Sequence, residues 1–177
     1  MPDEDLILPG YFGKLPTAGD FVTGGLASGF VQPWDRWLSR HLARHFEPPH
    51  PPLRFLLGPD AFGPMAGVVM PSTDRIGRRF PLTLAAAVPE AITGMTIAAE
   101  DWFEALEEIG DLARSGEIDA NALAANLATL PFPAATAEGE PVRRMAFWTP
   151  SSDLIDVDPE GPRAALDYLL VECREAG

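Results

Sequence analysis

Three runs decide the fold class: Leu53-Arg54-Phe55-Leu56-Leu57, Met65-Ala66-Gly67-Val68-Val69-Met70 and Phe80-Pro81-Leu82-Thr83-Leu84-Ala85-Ala86-Ala87-Val88. Each is short and apolar, and the first two close on turn-forming pairs, Gly58-Pro59 and Pro71-Ser72. Short apolar runs bounded by Gly and Pro read as buried strands. Pro81 has no N–H for a ladder and belongs at the start of its strand or on an edge. Three consecutive strands favour antiparallel hairpins with helices packed against the sheet.

Working outward, helices are predicted on both sides. Phe30, Trp34, Trp37, Leu38 and Leu42 recur at three- and four-residue spacing, with Arg36, Ser39, Arg40 and Arg44 on the polar face. Pro33 fits such a helix if it falls in the first turn. Prolines 48, 49, 51 and 52 end it in a stiff connector. After the strands, a helix from Ala98 to Arg114 places Trp102, Leu106, Ile109 and Ala113 on one face, and Glu100, Asp101, Glu104, Glu107, Glu108 and Asp111 on the others. Acids in that arrangement read as a solvated face. Asp119 caps a helix from Ala120 to Leu130. Strands are predicted at Ile7–Lys14 and Arg143–Thr149, and Pro162 starts a last helix with Leu166, Leu169 and Leu170 inward. The order is β-α-β-β-β-α-α-β-α, which gives an α/β single-domain sandwich with a mixed, largely antiparallel sheet flanked by helices. An α+β arrangement is the near alternative. Residues 1–177 read as one domain, with 1–8 and 134–141 as mobile segments.

Composition narrows function by exclusion. Among 177 residues, 26 acids face 13 bases, a net charge of -13. A chain this acidic is a poor ligand for nucleic-acid phosphates or anionic membrane surfaces. No apolar run approaches the roughly 18 residues of a membrane span. The acidic start lacks a signal peptide's positive region, and the lone Cys173 has no internal disulfide partner. These features point to the cytoplasm.

Few residues carry chemistry. His41 and His45 share a helix face at a spacing that suits zinc, but no glutamate follows His41 as in zinc proteases, and a third ligand would have to be Glu47, His50 or a distant acid. The alternative is two histidines at the edge of a Trp-rich core. Asp74-Arg75-Ile76-Gly77-Arg78-Arg79 is the densest polar cluster. Arg75, Arg78 and Arg79 can grip a phosphate, a carboxylate or a phosphopeptide, and Gly77 permits a positive φ. Equally, Asp74 can pair with an arginine and stiffen the loop. Asp20 reads as a turn cap, Asp35 as a first-turn acid of the Trp helix, and Ser151-Ser152-Asp153 as a turn. No phosphate loop, nucleophile elbow or CxxC pair occurs.

Several phrases in order carry a resemblance: Gly10-Tyr11-Phe12-Gly13-Lys14-Leu15-Pro16-Thr17-Ala18-Gly19-Asp20-Phe21-Val22; Phe30 with Trp34-Asp35-Arg36-Trp37-Leu38; Gly67-Val68-Val69-Met70-Pro71-Ser72; Asp74-Arg75-Ile76-Gly77-Arg78-Arg79-Phe80-Pro81-Leu82-Thr83; and Phe147-Trp148-Thr149-Pro150. Together they resemble the TagF (ImpM) family of type VI secretion-associated proteins. The likeness departs in one place, where a longer family segment with a second aromatic cluster is replaced by the proline-rich stretch before Leu53. The resemblance implies a cytoplasmic, non-enzymatic accessory protein without a cofactor. It would repress assembly or firing of the secretion machine by binding its components, notably a forkhead-associated scaffold protein. The residues expected to carry that role are Lys14, Asp20, Trp34, Asp35, Asp74, Arg75, Gly77 and Arg78. An Asp20 or Asp35 pair with Arg78 is expected to join the two phrases, with the exposed members forming the partner surface.

Overall fold

The computed structural model describes residues 6–46, 50–88, 97–133 and 142–175. In chain order these form β1 (Gly10–Gly13), β2 (Val22–Gly24), α1 (Ser28–His41), β3 (Leu53–Leu57), β4 (Met65–Met70), β5 (Leu82–Ala87), α2 (Ile97–Arg114), α3 (Ala120–Leu127), β6 (Met145–Trp148), β7 (Ile155–Val157) and α4 (Arg163–Glu175). The strands make one seven-stranded sheet in the order β2-β1-β5-β4-β3-β6-β7. Every neighbouring pair is antiparallel. The α/β reading therefore holds, with a sheet that is antiparallel throughout. Residues 1–5, 47–49, 89–96, 134–141 and 176–177 lie outside the described residues, and so do most of the predicted mobile segments, Glu47 and the side chain of Cys173.

Both sheet faces are covered, which is why the central strands read as unbroken apolar runs. Leu53, Phe55 and Leu57 of β3 join Trp34, Trp37 and Leu38 of α1 and Leu166, Leu169 and Leu170 of α4. The alternate positions face the other way: Leu56 of β3, with Ala66, Val68 and Met70 of β4, meets Trp102, Phe103 and Leu106 of α2 and Leu123 and Leu127 of α3. At Gly110, α2 lies so close to β4 that a Cβ would run into the Met70 side chain.

Helix α1 starts earlier than predicted, at Ser28, so Pro33 sits in its second turn and not its first. The N–H that Pro33 lacks would have met the carbonyl of Gly29, which is exposed and open to water. The apolar stripe is deeply packed. Trp34 and Trp37 stack at 5.2 Å, and the Trp34 indole N–H donates to Thr83 Oγ1 at 2.9 Å. Asp119 caps α3 as predicted, accepting from the Ala122 N–H at 2.9 Å, although the helix stops at Leu127. Pro162 immediately precedes α4. Two short edge strands, β2 and β7, were not predicted. Each has three residues and pairs on one side only.

Candidate functional site

The sheet order brings two distant loops together. Phe12 of β1 pairs with Thr83 of β5, and Leu82 of β5 pairs with Met70 of β4. The ends of β1 and β4 therefore flank the start of β5, and the loops leaving them, 14–21 and 71–81, meet at one end of the sheet. Two hydrogen bonds join them: the Ser72 side chain donates through Oγ to the Lys14 carbonyl at 2.6 Å, and the Arg75 backbone N–H donates to the Ala18 carbonyl at 2.8 Å.

Asp74 is the hub of this junction, 2% exposed. One carboxylate oxygen accepts the backbone N–H groups of Ile76 and Arg78 at 3.1 and 2.9 Å. The other accepts the Arg78 guanidinium at 2.7 Å and pairs with the Lys14 ammonium at 3.3 Å. Residues 74–77 form a turn closed by the Gly77 N–H on the Asp74 carbonyl at 3.1 Å, with Gly77 at φ +88°. An Asp at the first position bonding back to the turn's own N–H is the usual Asx device. Burial works against ionisation of Asp74. The Arg78 N–H, the Arg78 guanidinium and the Lys14 ammonium outweigh it and hold its pKa down to about 2.

The predicted Asp20 or Asp35 pair with Arg78 is not what joins the phrases. Arg78 bonds Asp74 and, through its other nitrogen, the Gly19 carbonyl at 2.9 Å. Asp20 accepts from the Phe21 N–H at 2.8 Å, which is its turn-capping role. Asp35 accepts from Ser39 Oγ one turn along α1. Trp34 is fully buried against the sheet, and Asp35 lies on α1, so neither belongs to the loop junction. Lys14, expected on a binding face, is 8% exposed. Its ammonium sits between Asp74 and the Phe21 ring, 5.0 Å from the ring centroid. Phe21 in turn packs edge-on to Phe80 at 4.9 Å.

What remains outward is the tip: Arg75, Ile76, Gly77, Arg78 and Arg79 are all exposed. Ile76, at 71%, is the most exposed large hydrophobic residue of those described. It was not singled out from sequence, although an isoleucine between arginines at a turn centre has no route into the core.

The two histidines do not share one continuous helix. Helix α1 ends at His41, so His45 leaves the apolar arc and is exposed. Among the described residues, no three His, Cys, Asp or Glu side chains gather closely enough to hold a metal ion.

Sequence reasoning also missed a buried ion cluster on the other sheet face. Arg54 of β3 is 2% exposed. Its guanidinium bonds Glu107 Oε1 through two nitrogens, at 3.1 and 2.5 Å, and Glu100 Oε1 at 2.7 Å. Glu107, predicted on a solvated face, is therefore turned inward, and its Oε2 is buried without a hydrogen bond. Burial raises the Glu107 pKa despite Arg54.

The phrases that build the hub lie within the stretch that a family model matches. The model for the TagF N-terminal domain, type VI secretion system-associated, matches residues 10–130. The chain belongs to this family. Both loops of the junction and α1 fall inside the matched region. A crystal structure of PA0076 from Pseudomonas aeruginosa PAO1 is similar, with 28% sequence identity and a TM-score of 0.59 over 93% of this chain and 78% of that one. No curated protein matches the chain. Among the described residues, no helix is long and apolar enough to cross a membrane.

Proposed function

We propose that this chain is a non-enzymatic repressor of type VI secretion assembly or firing that acts in the cytoplasm by binding a component of the machine, with a forkhead-associated scaffold protein as the first partner to test. The observation that supports a binding role is the loop tip. A hub of buried charge holds the 74–79 turn rigid, yet the turn presents Arg75, Ile76, Arg78 and Arg79 to solvent. A rigid apolar anchor ringed by guanidiniums loses little entropy on binding and favours an acidic partner surface. The acids near the tip are committed elsewhere: Asp74 to Arg78 and Lys14, and Asp20 to the Phe21 N–H. That arrangement suits presentation of a surface better than acid–base work.

Arg78 is a poor first target, because it also holds Asp74. The test is the pair Arg75→Glu and Ile76→Asp, with folding confirmed by circular dichroism. Pull-down of the forkhead-associated scaffold and repression of secretion are both expected to be lost. Retention of both at wild-type level would overturn the assignment of the tip as the partner surface.

A further inference from the structure

At the opposite end of β4 from this loop, a concavity of about 410 Å³ opens between α1, the β3–β4 loop and the turn before α4. Its wall combines the aromatic side chains of Trp37 and Phe62 with the guanidiniums of Arg36 and Arg40, the His41 imidazole, and Glu160 on the turn before α4. Three features set it apart from an ordinary surface hollow.

First, Arg36 and Arg40 are exposed and one helical turn apart on the same face. Neither makes an ion pair with any described residue at salt-bridge distance, whereas Arg163 nearby on α4 has Asp167 at 3.7 Å. In a chain of net charge -13, two guanidiniums therefore stand unpaired over one hollow, whose lining holds a single carboxylate, Glu160. Second, Phe62 is the one described non-glycine residue with positive φ, at +65°. A bulky residue in the left-handed region is held there by its surroundings, and such strain gathers at ligand sites. Third, the aromatic wall is fixed. The Trp37 indole N–H donates to the Pro159 carbonyl at 3.0 Å, Trp37 stacks on Phe147 at 5.8 Å, and Phe62 packs edge-on to Trp34 at 5.9 Å.

We infer that this concavity binds a small oxyanion with a flat apolar body, the anionic group lying between Arg36 and Arg40 and the body against Phe62, with the buried Trp37 forming the floor. Guanidiniums match planar or tetrahedral oxyanions with paired N–H donors, and aromatic walls with a few polar groups are the usual lining of small-ligand sites. His41 supplies a reporter. Burial lowers its pKa first, then the charges of Arg40 and Arg163. Glu160 lines the same hollow, and Asp167 accompanies Arg163. An anion bound beside the two arginines offsets their repulsion and raises the His41 pKa.

The experiment titrates the full chain with phenyl phosphate, inorganic phosphate and phenol, following the ring signals of its three histidines, His41, His45 and His50, by NMR. Phenyl phosphate is expected to shift His41, to raise its titration midpoint, and to bind at least about tenfold more tightly than either inorganic phosphate or phenol. Benzoate run in parallel identifies the head group: comparable affinity assigns a carboxylate, and much weaker binding assigns a phosphate monoester. Arg36→Gln with Arg40→Gln should abolish the response, and Arg44→Gln, outside the hollow, should leave it intact. Phe62→Gly, which suits the left-handed backbone, should weaken phenyl phosphate towards the affinity of inorganic phosphate. An unmoved His41 signal would overturn the site. So would equal affinity for the two phosphates, which marks an adventitious anion only, or undiminished binding by the Arg36/Arg40 variant.

Discussion

Two buried ion clusters flank the sheet, and they are built on opposite plans. At the loop junction, one carboxylate, Asp74, is shared by two cations, and two backbone N–H groups complete its shell. Beneath α2, one guanidinium, Arg54, is shared by two carboxylates, Glu100 and Glu107, and Glu107 Oε2 is left bare among the described residues. Asp74 and Glu107 are both desolvated. The difference in donors sends their pKa values in opposite directions, down to about 2 for Asp74 and upward for Glu107. A buried charge is tolerated when its whole hydrogen-bonding capacity is met, and it remains costly when only part is.

The comparison breaks most readily at Arg54. Arg54→Met leaves Glu107 buried against an apolar side chain, and urea unfolding should show a loss of roughly 3–5 kcal/mol. Adding Glu107→Leu should recover most of that loss, because replacing both partners removes the uncompensated charge. If the double variant is no more stable than the single one, the cluster does not work as a pair.

The Asp74 plan fails more locally. In Asp74→Asn the turn loses its charged acceptor while the sheet beneath stays paired. Amide exchange at Ile76 and Arg78 should accelerate by on the order of tenfold, with β4 and β5 amides unchanged. Equal acceleration in the strands would show that the hub holds the sheet and not merely the turn.

The smallest effect is the pH dependence, and it has two signs. Asp74 has a depressed pKa, so its contribution is fully present above its ordinary value near 3.8 and is lost as pH falls through about 2. Glu107 has a raised pKa, so the folded state holds the extra proton. Its contribution is fully present below its ordinary value near 4.5 and is lost as pH rises through the elevated folded value. Glu107→Gln should therefore flatten the stability profile above 4.5, and Asp74→Asn should flatten it below 4. Stability against pH measured for both variants checks the assignment.

How much of this was legible in the sequence follows from where each signal lies. The runs that became β3, β4 and β5 were clear, because burial on both faces leaves a continuous apolar string. Strands β2 and β7 carried no such string. Val22–Gly24 and Ile155–Val157 are strands because a neighbour offers them a ladder, which is a tertiary fact. At the candidate site, the two phrases were visible as segments, but their meeting depends on β1 lying beside β5. Asp20 and Ser152 were read correctly as local turn formers, since their partners are one and three residues away. Arg54 was missed, although a signal existed. An arginine inside an apolar strand covered on both faces needs an acid, and Glu100 and Glu107 stand two turns apart on one helix face. Helix α1 ends at His41, so His45 lies beyond it, a boundary that periodicity defines poorly.

Lys14 is the sole lysine of the chain, and its amine is held in an ion pair beneath the loop. Acylating reagents and lysine-modifying enzymes need that amine free and unprotonated. In the folded protein they have to wait for the 71–81 loop to lift away. The rate of covalent labelling at this single nitrogen therefore clocks the opening of the loop, and a partner that clamps the tip would slow it without touching the lysine.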